Sequence, residues 1–309
     1  MTASSSAAPL PPALESVAPR TSRPHWLNRA PFFRLAAAVA GSTPRRARLQ
    51  LASAVGGTLA YACRREADVV RANLARVTPA LSARALETQV RELFRHFAMC
   101  FADLVTSNRR ADTTALRGGE HEGEHVDGVL DGGFIVLTAH LGNWELAGRL
   151  LVGRSQGRPL HVVMAPEADP RVERLLRHGG PARIVTLRAP ADAIPLVAAL
   201  RRGEIVGMQG DRPLGQRGDV PVSFFGAPAL FPLGPFVLAR AAGVPVLPAY
   251  CVLREDRRYT VLLKPPIRVE RDQEEAALAR WVDGLAAVIA QHPTQWFSFV
   301  DPWEPARAR

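Results

Sequence analysis

The sequence predicts an α/β fold, a mixed, mainly parallel sheet covered by helices, with a helical region ahead of it. Three observations point there. After Gly118, short apolar runs of strand length alternate with helix-length segments, and Phe134-Ile-Val-Leu-Thr138 reads as a buried strand. Between Glu66 and Thr106 the apolar residues recur at helical spacing instead. A chain of 309 residues, 47% hydrophobic, can bury one large core with a helical extension.

Residues 1–24 are rich in Ala, Ser and Pro and are expected to form a disordered tail. They lack the positive n-region and apolar h-region of a secretory signal. Residues 25–117 form the expected N-terminal helical region. It opens with two apolar stretches, Phe32 to Ala40 and Leu49 to Cys63, interrupted by Arg34 and Gln50 and separated by Arg45, Arg46 and Arg48. Neither reaches the roughly 18–20 apolar residues that span a bilayer. Short apolar helices bracketed by Arg suit a membrane interface, where guanidinium groups reach phosphates. The same pattern also suits an Ala-rich helical pair packed on the domain itself. Val69, Val70, Leu74 and Val77 then form one stripe, Pro79 breaks it, and Ser82 is placed to cap a helix carrying Leu86, Val90, Leu93, Phe94, Phe97 and Phe101. His96 is expected to be a core or interface residue.

Residues 118–309 form the expected α/β core. Strands are predicted at 134–138, 161–164, 182–187, 205–208, 246–252 and 259–263, the last two joined by the polar turn Arg254 to Arg258. Helices are predicted at 145–152, 170–177, 191–201, 233–242 and 273–291.

The net charge of +10, almost all from Arg, favours anionic partners such as lipid headgroups, phosphorylated sugars or acidic proteins. Arg, Ala, Pro and Gly enrichment from a GC-rich genome would give the same balance. No basic block is interleaved with aromatics, so nucleic acid is not an expected partner. Cys63, Cys100 and Cys251 lie far apart without C-x-x-C spacing, which suits a reducing compartment and neither a zinc ribbon nor a disulfide framework.

The segment Leu137-Thr-Ala-His140-Leu-Gly-Asn-Trp-Glu145 places a His at the carboxyl end of a strand, where α/β sheets present ligands. On a continuous helix His140 and Glu145 would lie about 140° apart. They meet only if Gly142 turns the chain so that Glu145 sits in the first helical turn. The expected result is a His-carboxylate dyad, His140 being the general base and Glu145 its partner. Gly210-Asp211-Arg212-Pro-Leu-Gly215 also follows a strand, and Arg212 there could face a phosphate or an oxyanion. Val220 to Pro235, with Phe224, Phe225 and Gly226, offers an aromatic, turn-rich wall that suits either an acyl groove or plain core. His121 and His125 lie in a Gly-rich polar segment expected to be a solvated connector rather than a metal site. Ser155 and Ser223 lack a nucleophile-elbow context. Trp281 is expected to pack in the core, and Trp296 and Trp303 to be candidate interfacial anchors.

His140-Leu-Gly-Asn-Trp-Glu145, the Asp211-Arg212 loop, Phe224-Phe-Gly226-Ala-Pro-Ala and Gly243-Val-Pro-Val-Leu-Pro248 occur in an order that resembles the lipid A biosynthesis acyltransferase family (the lauroyl and myristoyl transferases of lipid A), within the lysophospholipid acyltransferase superfamily. Arg71-Ala-Asn73-Leu74 and Gln295-Trp296-Phe-Ser-Phe299 fit as well, so the resemblance covers about residues 25–304. It implies a glycerolipid acyltransferase-like core that needs no metal or organic cofactor. The implied donor is an acyl thioester, of acyl carrier protein or coenzyme A, and the implied acceptor a hydroxyl of a lipid A precursor or related glycolipid. The implied place is the cytoplasmic face of the inner membrane. Carried over, His140, Glu145 and Arg212 are catalytic, while Asp211, Asn143, Phe224, Phe225 and Gly226 bind substrate; Asn143 and Trp144 also shape the turn. The family usually has a membrane-spanning helix near its N-terminus, whereas here that region is short and interrupted. The Gly-Asp-Arg-Pro loop and the Trp-Phe-Ser-Phe-Val-Asp-Pro-Trp ending resemble a branch with other lipid acceptors. A thioesterase using the same dyad, and a non-enzymatic basic protein binding membrane or carrier, remain alternatives.

Overall fold

Helical periodicity ahead of residue 108 becomes four helices in the computed structural model, which describes residues 30–107, 121–122, 131–148, 157–164, 171, 182–187, 189–214 and 218–303. They are α1 (Ala30–Ser42), α2 (Arg45–Ala62), α3 (Arg64–Val77) and α4 (Ala83–Ser107). Ser82 caps α4 as its position predicts, its Oγ accepting from the Ala85 amide at 3.3 Å. Such a cap stabilises a helix by about 1 kcal/mol. The expected tail at 1–24, the 170–177 helix apart from residue 171, the end of the 145–152 helix, His125 and Ser155 fall outside the described residues.

The core strands are β1 (His121–Glu122), β2 (Phe134–Thr138), β3 (Leu160–Val163), β4 (Arg183–Val185), β5 (Ile205–Gln209), β8 (Val246–Leu253) and β9 (Tyr259–Leu263). A hairpin, β6 (Asp219–Phe224) with β7 (Ala227–Pro232), stands apart from them. Among the described residues the main sheet runs β1-β9-β8-β2-β5-β3-β4, parallel except for the antiparallel β8–β9 pair. Helices α5 (Ile194–Arg201), α6 (Gly234–Ala242) and α7 (Glu274–Gln291) complete the core.

Every residue of β8 is buried, and its alternation shows what covers each face. Val246, Tyr250 and Val252 join a cluster with Phe236 of α6 and Leu278, Trp281 and Leu285 of α7. Cys251 and Leu253 join another with Val70 and Leu74 of α3 and Val90, Leu93 and Phe94 of α4. The N-terminal helices are therefore one layer of the same core. Burying each such large apolar side chain contributes about 1.5–3 kcal/mol before entropy is counted.

Three expectations change here. Arg45 and Arg48 do not reach outward: both ion-pair with the buried Asp103 of α4, at 2.7 and 3.1 Å. A buried carboxylate needs a cation more than a surface does. His121 and Glu122 are an edge strand, parallel to Val261 and Leu262, not a connector. The Val220–Pro235 wall is a hairpin whose two-residue turn, Phe225 and Gly226, has positive φ at both positions (48° and 78°). Pro221, Pro228 and Pro232 hide it from pattern reading, and an isolated two-stranded ribbon tolerates them on its open edges.

Candidate active site

Strands β2 and β5 are far apart in sequence but adjacent and in register, Thr138 opposite Gln209. Two residues beyond each lie His140 and Asp211. The Gly210 amide donates to the Thr138 carbonyl at 3.0 Å and keeps the two exits together. The His140 amide then donates to Asp211 Oδ2 at 3.0 Å, and His140 Nδ1 lies 2.7 Å from Oδ1. The carboxylate that holds the ring is Asp211.

The sequence pairs His140 with Glu145; at Nδ1 the structure places Asp211, a carboxylate the sequence did not pair with the ring. Glu145 is half-buried in the first turn of helical residues 144–148. Gly142 does turn the chain, at φ 60°, and only glycine fits: a Cβ there would stand 1.9 Å from the Cys251 carbonyl oxygen. The turn sends the chain into the helix while β5 delivers a carboxylate directly beside the imidazole.

Burial of Asp211 would by itself raise its carboxyl. The adjacent His140, through charge and hydrogen bond, and then Arg212 outweigh that and hold it down at about 2. An ionised carboxylate only accepts, so Nδ1 carries the proton and Nε2 is left as the basic nitrogen. The His140 side chain keeps 14% exposure against 1% for Asp211, so the ring lies at the rim of the buried site. The Trp144 ring stands edge-on to the imidazole, centroids 5.0 Å apart.

Arg212 is largely enclosed, and burial lowers its affinity for a proton while Asp211 opposes the loss. Nη2 donates to the Phe297 carbonyl at 3.1 Å, and its buried Nε has no hydrogen-bond partner among the described residues. That Nε–H is an unspent donor beside Asp211 among the described residues. Asn143, expected to bind substrate, is buried: its amide donates to the Cys100 carbonyl at 3.1 Å and to Tyr259 Oη at 3.2 Å. These bonds tie the turn to α4 and β9. Phe224 is fully buried, stacked on Trp303 and edge-on to Trp296, and so supports the site from behind. Phe225 is half-buried and Gly226 exposed at the hairpin tip. Ser223 is exposed on β6, and Trp281 is core.

Trp296, a candidate interfacial anchor by sequence, lies inside the site instead. It is 2% exposed, and its indole N–H donates to Asp211 Oδ2 at 3.1 Å. Trp303 also turns inward, donating to the Phe224 carbonyl at 2.8 Å. No spacing rule links residue 296 to 211; the only signal is a Trp in a short apolar run directly after the last helix.

Residues 27–304 match the family described as bacterial lipid A biosynthesis acyltransferase. The chain belongs to that family. Phosphatidylinositol mannoside acyltransferase from Mycobacterium tuberculosis (strain ATCC 25618 / H37Rv) is 28% identical over 186 residues, and the enzyme of that name from Mycolicibacterium smegmatis is 25% identical over 186. These alignments cover 58% of this chain, and the chain spans 58% and 60% of those relatives. The 1-acyl-sn-glycerophosphate acyltransferase PlsC from Thermotoga maritima is a looser likeness, with 16% identity and a TM-score of 0.38 over 81% of this chain and 98% of that one.

Proposed function

We propose that this protein transfers a fatty acyl group from an acyl thioester to a hydroxyl of a glycolipid, with His140 as general base. The observation that carries the reading is the His140–Asp211 pair at the carboxyl ends of two adjacent parallel strands. Asp211 fixes the ring so that Nε2 faces the acceptor. Nε2 takes the hydroxyl proton as the oxygen attacks the thioester carbonyl, and the C–O bond forms. Collapse breaks the C–S bond, and the imidazolium returns the proton to the departing thiolate. Arg212, its charge held beside the His–Asp pair, stabilises the oxyanion or orients an anionic group of the acceptor. A glycolipid acceptor is supported by family membership and by the relatives named for acylating phosphatidylinositol mannosides. Carrier protein or coenzyme A would supply the thioester.

The reading is tested by incubating the protein with acyl carrier protein thioesters and bacterial lipid extracts, with products read by mass spectrometry. A new acylated lipid is expected with wild type and a loss of about 10²–10⁴-fold with His140→Ala. Transfer at the wild-type rate by His140→Ala would refute it, and His140-dependent free fatty acid without acylated lipid would indicate a thioesterase.

The same proposal places the protein on a membrane surface. Leu35 and Val39 on α1 and Leu51, Val55 and Tyr61 on α2 are exposed, with Arg46 and Arg64-Arg65 exposed at either end of α2. Among the described residues no helix is long and apolar enough to cross a membrane. An apolar stripe with basic ends suits an anionic interface. Leu51→Glu with Val55→Glu should reduce co-sedimentation with anionic vesicles about tenfold or more; unchanged sedimentation would remove this face from the proposal.

A further inference from the structure

We propose that Trp296 is a positioning residue of the acyl-transfer site, its indole N–H fixing the Asp211 carboxylate that in turn fixes His140. This rests on the His140-centred reading above. Asp211 receives donors from two chain segments: the His140 amide and Trp296 Nε1 on Oδ2, and His140 Nδ1 on Oδ1. A carboxylate bonded only to the ring could rotate about its Cβ–Cγ bond. The indole, arriving from the C-terminal end of the chain, helps set the carboxylate plane and hence the direction of the imidazole.

The segment that brings the indole is itself tied to the site. The Gly142 amide donates to the Gln295 carbonyl at 2.8 Å, and the Phe297 amide to the His140 carbonyl at 2.7 Å. The Gln295 side chain bonds the Leu253 amide and carbonyl at 2.8 and 2.7 Å. Phe297 also accepts from Arg212, so residues 295–297 touch His140, Asp211 and Arg212 together. On the α4 side, Phe97 meets Phe297 and Phe299 edge-on.

Packing alone does not require an N–H here. Trp296 sits among Phe224 and Trp303, where a phenyl ring would fill an aromatic cluster too. Trp281 is the internal contrast: equally buried, its indole nitrogen has no hydrogen-bond partner among the described residues. Burial of a tryptophan in this protein does not by itself deliver its N–H to an acceptor.

The test uses Trp296→Phe and, at the same position, benzothienylalanine, which keeps a bicyclic ring and lacks the N–H. The probes are palmitoyl-coenzyme A with a bacterial lipid extract, and the downfield proton NMR signal of the Asp211-bonded ring N–H, identified by its absence in His140→Ala. Both replacements should lower kcat about tenfold with KM for the thioester unchanged, the loss of one hydrogen bond to a charged group. The acid limb of the pH–rate profile should move to higher pH, because a carboxylate with fewer donors favours imidazolium more strongly. The downfield signal should shift or broaden, and in an Asp211→Asn background Trp296→Phe should cost nothing further. A benzothienylalanine variant with wild-type NMR signal, kcat and acid limb would overturn the role of Trp296. Wild-type transfer by His140→Ala would instead overturn the acyl-transfer reading itself. The NMR arm stands even where the chosen thioester is not turned over.

Discussion

Two aspartates lie buried about equally, Asp103 at 3% and Asp211 at 2% exposure, yet the molecule uses them differently. Asp103, on α4, accepts from Arg45, from Arg48 and from the Tyr259 hydroxyl at 3.1 Å. Its partners are two guanidinium groups and a buried phenol, so the cluster ties α2, α4 and β9 together. Asp211 accepts from an amide, an indole and an imidazole. One of those partners can change its protonation state, and its ring sits at the edge of solvent. Burial and charge alone therefore do not mark a site; what the carboxylate is bonded to does.

That difference can be broken by the same substitution at both positions. Asp211→Asn should reduce acyl transfer about 10²-fold, because an amide no longer enforces the Nδ1–H tautomer, with a smaller loss of stability than the same change at Asp103. Asp103→Asn should do the reverse, destabilising the fold by about 3 kcal/mol, since it leaves two guanidinium groups without their counter-charge. Its kcat per folded molecule should match wild type. Urea denaturation beside kinetics on both variants decides it, and equal effects of the two on kcat would erase the distinction.

Acid provides the smaller effect. The folded-state pKa of Asp211, about 2, lies below its ordinary 3.8. The folded protein therefore prefers the ionised form, and the contribution is fully present above pH 3.8 and lost as pH falls toward 2. Asp211→Asn lacks this term. Melting curves across that window should fall more steeply for wild type than for the variant; parallel curves would show that Asp211 is not held low.

The strands and helices of the core were largely legible, because each carries its own periodicity. Predicted strands at 205–208, 246–252 and 259–263 lie within a residue of β5, β8 and β9. Helix 191–201 differs only in beginning with a 3-10 turn at Pro190–Ala193. The hairpin was not legible, since prolines interrupt both of its strands. His140 was legible from its place at a strand end. The carboxylate at its Nδ1 was not, because Asp211 lies 71 residues away along the chain and meets the ring only in space.

The sequence by itself determined the α/β class, the helical region ahead of the core, the family and the His at the end of β2. These depend on local pattern and on the order of motifs along the chain. Tertiary structure alone decided that β5 lies beside β2, that Asp211 bonds the ring at Nδ1, and that Trp296 reaches back to that carboxylate. It also decided that Arg45 and Arg48 face Asp103. Strand order and helix docking are set by how whole faces bury together, and neither is encoded in the spacing of the residues they bring into contact.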